Sequence, residues 1–210
     1  MLFDFRAAFP SIAHAFIHGT IAHLGLPPAA RNLLTAFYDD NRCEITVAGR
    51  RFPGFAAASG IRQGCPLSPL IYVIVADALL RRLSAIGPEV VVRGYADDTA
   101  MVLTDLGNQW APVQAAFTEF EIVSGLALNL PKTVLIPLGD ADLAVMRREL
   151  QQRADRWAGV QIASWGLYLG FATGPGKEFH SWDRPLERFA CRLREWNWEG
   201  SGFAVGLPRL

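Results

Sequence analysis

Neither sign of charge is in excess: twenty Lys and Arg residues stand against twenty Asp and Glu, for a formal net charge of zero. No global positive field therefore draws the chain to a polyanion, and any such contact must come from a local patch or a bound metal. Cysteine is scarce. Cys43, Cys65 and Cys191 lie far apart, with no CxxC pair and no neighbouring His pair. That argues against structural zinc and a disulfide framework and makes a reducing, intracellular compartment the expectation. No apolar run reaches the roughly 18–20 residues that span a bilayer. The opening MLFDFRAAFP lacks the basic stretch and apolar run of a secretion signal. The expectation is a soluble protein without membrane contact. What is present is ordinary for a globular chain, 51% hydrophobic and 19% charged residues in a length of 210, enough for one domain with a core.

Strands and helices alternate along the chain. LFDF reads as a short strand at the very start, which is unusual for a whole domain, so the amino end is expected to be a cut edge. Ile12, Phe16, Ile17, Ile21 and Leu24 have helical spacing, with Gly25, Pro27 and Pro28 to end the helix. A second helix runs through PAARNLLTAFYDD. CEITVAGRRFPGF alternates around Ala48-Gly49 as a β-hairpin. From Ser68, a good N-cap, and Pro69, a good first residue, an apolar helix runs to Arg81 and Arg82, whose charges suit its carboxyl end. It is expected to be buried and to hold the loop 59–67 against the core. A helix from about Gln109 to Ser124 follows, then GLALNLPKTVLIPL as two short strands broken by Pro131, then a polar helix from Ala141. SWGLYLGFATG is a hairpin candidate. A final helix from about Ser181 to Trp196 carries Arg184, Arg188, Arg192 and Arg194 among tryptophans 182, 196 and 198. The frequent hairpins favour an α+β domain, an antiparallel sheet packed by helices, over a doubly wound fold.

Residues 93–103, RGYADDTAMVL, set two adjacent aspartates between apolar flanks. In a tight hairpin Asp97 and Asp98 are good turn residues on their own account. A partly buried carboxylate pair, however, repels itself and needs a cation or a cluster of donors. Mg²⁺ suits such a site, because it binds one or two carboxylates and leaves positions for substrate phosphates. Asp4, on the strand LFDF, is the candidate third carboxylate. Three carboxylates from neighbouring strands would hold two Mg²⁺ ions about 3.5–4 Å apart, the arrangement that clamps attacking and leaving oxygens in phosphoryl transfer. Spacing alone leaves both readings open.

The order of the motifs resembles the palm of reverse transcriptases, above all those of non-LTR retrotransposons and related intron-encoded enzymes. FDFRAAFPSI is similar to the first palm motif, GIRQGCPLSPLIY to the second, YADD to the third, GLALNLPKT to the fourth and SWGLYLGF to the fifth, the primer-grip hairpin. The resemblance covers roughly residues 1 to 175. It implies a polymerase palm over 1–175, with 176–210 as a partial thumb or connection segment. It implies an RNA-directed DNA polymerase, a nucleotidyltransferase that uses an RNA template, a DNA primer, deoxynucleoside triphosphates and two Mg²⁺ ions. Asp4 and Asp97 would be the principal metal ligands, Asp98 a supporting one, and the Phe5 carbonyl a further ligand on the nucleotide side. Phe9 resembles the aromatic gate that excludes a 2′-hydroxyl; by its own chemistry it is equally a core residue. Gln63 and Gly64 would line the nucleotide pocket. Arg62 is either a template contact or a solvated charge. Lys132 resembles the lysine proposed to protonate the pyrophosphate leaving group, in a loop shaped by Asn129, and is otherwise a strand-edge residue. Tyr168, Leu169 and Gly170 would position the primer end. His14, His18 and His23 have no acidic neighbours and read as surface or packing residues.

The departures matter too. Pro10 stands where many relatives have Asp, and nothing matches the basic fingers that precede the first motif in the family. Neither an endonuclease nor a zinc knuckle is legible. The chain is therefore expected to be a fragment of a larger polyprotein, either a working polymerase palm or a catalytically silent remnant that at most binds nucleic acid or a partner.

Overall fold

In the computed structural model, which describes residues 1–152 and 156–195, the strands fall into one central sheet and two separate hairpins. Strand β1 (Leu2–Phe3) leads through a one-turn helix α1 (Ala8–Ser11) to α2 (His14–His23) and α3 (Pro28–Ala36). The hairpin β2 (Arg42–Val47) and β3 (Arg50–Ala56) precedes the long helix α4 (Ser68–Ser84). After β4 (Val91–Tyr95) and β5 (Asp98–Val102) come α5 (Leu106–Ser124), β6 (Val134–Leu135) and α6 (Leu143–Gln152). Strand β7 (Gln161–Ile162), the hairpin β8 (Gly166–Tyr168) and β9 (Phe171–Thr173), and α7 (His180–Glu195) complete the described chain.

The central sheet runs β4-β5-β1-β6-β7. Its first four strands are antiparallel, but β6 and β7 pair in parallel. The sheet is therefore mixed, not the antiparallel sheet the sequence suggests, because α6 carries the chain back across between β6 and β7, as a parallel connection requires. Alternation assigns its two faces. Phe3, Phe5, Thr99, Met101 and Val92 are buried toward α4 and α5. Phe3 lies on Phe117 with ring centroids 4.6 Å apart, and Trp157 closes the same cluster against Trp110 at 5.5 Å. Leu2, Asp4 and Asp98 alternate with these residues and so belong to the opposite, open face.

Three local expectations shift. The helix expected from Ser11 is interrupted at Ile12 and Ala13, which are extended; Ala13 bridges Ser59 and donates to the Ser124 carbonyl at 2.8 Å. Ser68 is the first helical residue and not the cap: its hydroxyl bonds the Arg62 carbonyl and closes the loop before α4. The first of the two strands expected in GLALNLPKT shrinks to a single bridge, Phe5 with Leu128, followed by a 3-10 turn at Leu130–Lys132. The β2–β3 and β8–β9 hairpins form as expected, and the loop 59–67 is held in place through the buried Ile61. Trp196 and Trp198 lie outside the described residues.

Helix α5 ends at Gly125, whose φ of +76° is left-handed and whose missing Cβ would lie 2.6 Å from the Ser11 carbonyl oxygen. Gly125→Ala is expected to lower stability by about 2 kcal/mol or more, from αL strain plus the clash. Urea denaturation checks it.

Candidate active site

The β1–β5 register determines where the acidic residues meet. Leu2 stands opposite Ala100 and Phe3 opposite Thr99, so the next step along both strands sets Asp4 beside Asp98. Strands β4 and β5 are joined by the two-residue turn Ala96-Asp97, with Tyr95 paired to Asp98. Ala96 has a φ of +50°, while Asp97 is not in the positive-φ region, the φ pattern of a II′ hairpin turn. Asp97 therefore sits on the turn itself and Asp98 at the first strand position.

The backbone around Asp4 is fixed from the other side. The Asn129 amide donates to the Asp4 carbonyl at 2.8 Å and the Arg6 amide to the Ala127 carbonyl at 2.8 Å, about the bridge between Phe5 and Leu128. In such a pair the central residue turns its own amide and carbonyl away from the partner strand. The Phe5 carbonyl accordingly faces away from Ala127–Asn129.

Electrostatics tie the three carboxylates together. The Asp98 carboxyl is raised above its usual pKa by partial burial, then by the negative charges of Asp97 and Asp4. They are within charge reach of one another, yet among the described residues no three acidic, His or Cys side chains are close enough to enclose a metal ion. Carboxylates are hard oxygen donors of the kind that suits Mg²⁺.

Tyr72 is a member of this site that sequence reading passed over as one more apolar position of α4. Its hydroxyl is buried without a hydrogen-bond partner among the described residues, and burial, followed by the charges of Asp97 and Asp98, pushes its pKa up. Its ring stacks on Phe9, with centroids 4.7 Å apart and 19° between the planes. The signal available in the sequence was a phenol at the apolar end of RQGCPLSPLIY. Phe9 is thus half-buried on α1, and the Ile61 amide donates to its carbonyl at 2.7 Å.

The remaining expected residues stand on separate elements around this centre. Gln63 and Gly64 are exposed on the turn before α4; Gly64 has a φ of +85° and open space where a Cβ would project. Arg62 bonds the Asn41 side chain. Lys132 is exposed, at the end of the turn that begins after Asn129. Leu169 and Gly170 form the tip of the β8–β9 hairpin with φ of +52° and +83°, following Tyr168. That hairpin is seated on the open face: a Cβ at Gly166 would meet Leu2 at 2.9 Å and Val134 at 3.5 Å. His14 is a packing residue, buried and bonded to the Gly60 carbonyl at 2.9 Å, whereas His23 bonds Gly19 at 2.8 Å.

The family model described as reverse transcriptase (RNA-dependent DNA polymerase) matches residues 1–162. The chain is 30% identical over 142 residues to a retrovirus-related Pol polyprotein from type-1 retrotransposable element R2 of Popillia japonica, covering 63% of this chain and 20% of that protein. It is 32% identical over 136 residues to the Pol polyprotein from type-2 retrotransposable element R2DM of Drosophila melanogaster, covering 61% and 13%. A third relative, the R2 polyprotein of Nasonia vitripennis, is 35% identical over 82 residues, covering 39% and 8%. The chain spans a fifth or less of the length of each of these three relatives. Among the described residues no helix is long and apolar enough to cross a membrane.

Two stability measurements test the electrostatics. A carboxyl whose folded pKa is raised binds more protons folded than unfolded between its ordinary and raised values, so stability rises as pH falls through that window. Asp98→Asn is therefore expected to stabilise the metal-free protein by up to about 1 kcal/mol near pH 7, limited by solvent screening, and by less near pH 4. Tyr72→Phe removes an unpartnered hydroxyl and is expected to change stability by between zero and about +1 kcal/mol. Urea denaturation of the variants at both pH values reads these changes; destabilisation by Tyr72→Phe would mean that the hydroxyl has a partner in solution.

Proposed function

The chain belongs to the reverse transcriptase family, in its non-LTR retrotransposon branch, and from that premise we propose that it is the RNA-directed DNA polymerase palm of a Pol polyprotein. Residues 1–175 act as the palm and the chain from 176 onward begins a thumb or connection segment. The observation that supports the reading is the β1–β5 register, which sets Asp4 on the strand position beside Asp98, next to Asp97 on the turn.

In this reading Asp4, Asp97 and Asp98, with the Phe5 carbonyl, would hold two Mg²⁺ ions. The chemistry supplied by the metal there is Lewis-acid stabilisation of the attacking primer 3′-oxygen and the departing pyrophosphate oxygen. The chain's own residues position the reactants. Gln63 offers an amide to the incoming deoxynucleoside triphosphate, and Gly64, with no side chain and open space before it, lets the backbone approach the base pair. Phe9 fills the volume that a ribose 2′-hydroxyl would need. Lys132, at the end of a turn that begins at the residue after Asn129, holds a proton for the leaving pyrophosphate. Tyr168, Leu169 and Gly170 carry the primer end, on a hairpin seated on the same sheet face as the carboxylates. The RNA template runs past Arg62.

Primer extension on a poly-A template with an oligo-dT primer, with and without Mg²⁺, tests the proposal. Asp97→Ala is expected to reduce Mg²⁺-dependent incorporation by more than about 100-fold, since even outer-shell supports of a metal site cost 10–100-fold, while the fold is kept. Extension that survives Asp97→Ala would sink the metal assignment. A folded wild-type chain that extends nothing would favour the silent remnant.

A further inference from the structure

Phe9 stands on a helix of four residues. A single turn fixes several dihedrals for one hydrogen bond and has little stiffness of its own, so the ring must be held from outside. Two contacts do this. The Phe9 carbonyl accepts from the Ile61 amide at 2.7 Å, which ties down the backbone but not the ring. The ring lies nearly parallel on Tyr72, which is 2% exposed and belongs to the first turns of the seventeen-residue helix α4. An aromatic wall that judges a single hydroxyl group must itself be located to about 0.5 Å, which a rigid element supplies and a loop does not.

We propose that Tyr72 is the specificity-determining positioning residue of this site: its ring is the fixed wall that sets how far Phe9 stands from the nucleotide sugar, and thereby the preference for deoxyribonucleotides over ribonucleotides. The inference rests on the gate role given to Phe9 above. Tyr72 also lines a cavity of about 60 Å³, shared with Phe5, Val73, Leu80, Gly94 and Phe120. A smaller side chain at 72 would join that cavity to the space beneath Phe9 and let the gate sink. The face of the Tyr72 ring is what matters for this role, so its hydroxyl is dispensable to it.

Equilibrium binding of Mg²⁺-dUTP and Mg²⁺-UTP, which differ only in the 2′-hydroxyl, to the full chain with a dideoxy-terminated oligo-dT primer on poly-A tests the wall without requiring turnover. Wild type is expected to favour dUTP. Tyr72→Leu is expected to lose at least about tenfold of that preference, mainly through tighter UTP binding, while Tyr72→Phe keeps it because the ring is kept. A general structural role would weaken both nucleotides alike. The double variant Phe9→Ala/Tyr72→Leu should be no less selective than Phe9→Ala alone, because the two changes act through one contact. Should Tyr72→Leu fail to fold, Tyr72→Met, which keeps length without a flat ring, carries the same expectation. Preference retained in a folded Tyr72→Leu or Tyr72→Met protein, and lost in Phe9→Ala, would overturn the role of Tyr72 and leave the gate standing. Preference retained in Phe9→Ala would overturn the gate and the wall together, as would a wild-type chain that binds neither nucleotide or both equally.

Discussion

Like charges do not gather by themselves, so the backbone must hold Asp4, Asp97 and Asp98 together against their repulsion. The constraint that does so is the register of β1 on β5, with Phe3 opposite Thr99. A slip of one residue would turn Asp4 inward among Phe117, Trp157 and Met101 and bring Phe3 out to the open face. The register is therefore enforced by burial: Phe3 and Phe5, at 3% and 8% exposure, cannot change places with Asp4 without exposing two aromatic rings and desolvating a charge. The apolar flanks of each acidic motif are thus the means by which it is aimed.

Helix α4 plays the corresponding part for the groups around the carboxylates. Tyr72 supports Phe9, Leu80 packs where a side chain at Gly94 would project, and the Ser68 hydroxyl closes the loop that presents Gln63 and Gly64. The inner face of this one helix so contacts β4 at Gly94, the aromatic ring on α1 and the loop that carries the glycine turn, while Leu70 and Val73 stay exposed. The hairpin β8–β9 is tied in differently, through the missing side chain of Gly166 against Leu2 on the open face. Both faces of β1 are used, the inner one for the core around Phe117 and the outer one for the β8–β9 hairpin.

Much of this was legible in the sequence, because period-two alternation and helix-stop residues are strong local signals. The α+β class, both separate hairpins and the helical spans of α3, α4 and α5 follow from such patterns, and five motifs in order point to the family. What local pattern does not carry is pairing partner and direction. The parallel step between β6 and β7 depends on where α6 returns the chain, and the break at Ile12 and Ala13 depends on Ser59 and Ser124, which are distant in sequence. Tyr72 is not legible for a related reason: in an apolar helical run a phenol reads as packing, and only the tertiary structure shows that its hydroxyl is buried and its ring stacked on Phe9. The motif residues were nameable one by one, whereas the supports that hold Phe9 and Gly64 were not.

Three of the six described non-glycine residues with positive φ lie in the motifs, whereas Asp40, Ala48 and Glu178 lie outside them. Of the non-glycine residues with positive φ, Ala7 leads into the helix bearing Phe9, Ala96 begins the aspartate turn, and Leu169 forms the tip of the β8–β9 hairpin. Each costs about 1–2 kcal/mol relative to ordinary backbone. Asp98 is raised by its neighbours and Tyr72 buries a hydroxyl without a partner, both at the same end of the sheet. The strained Ala96 turn and the buried Tyr72 hydroxyl stand beside a core of close ring contacts around Phe3, Phe117 and Trp157, a scaffold able to hold such local departures in place. The carboxylate repulsion is the one feature in that set a bound cation would relieve outright.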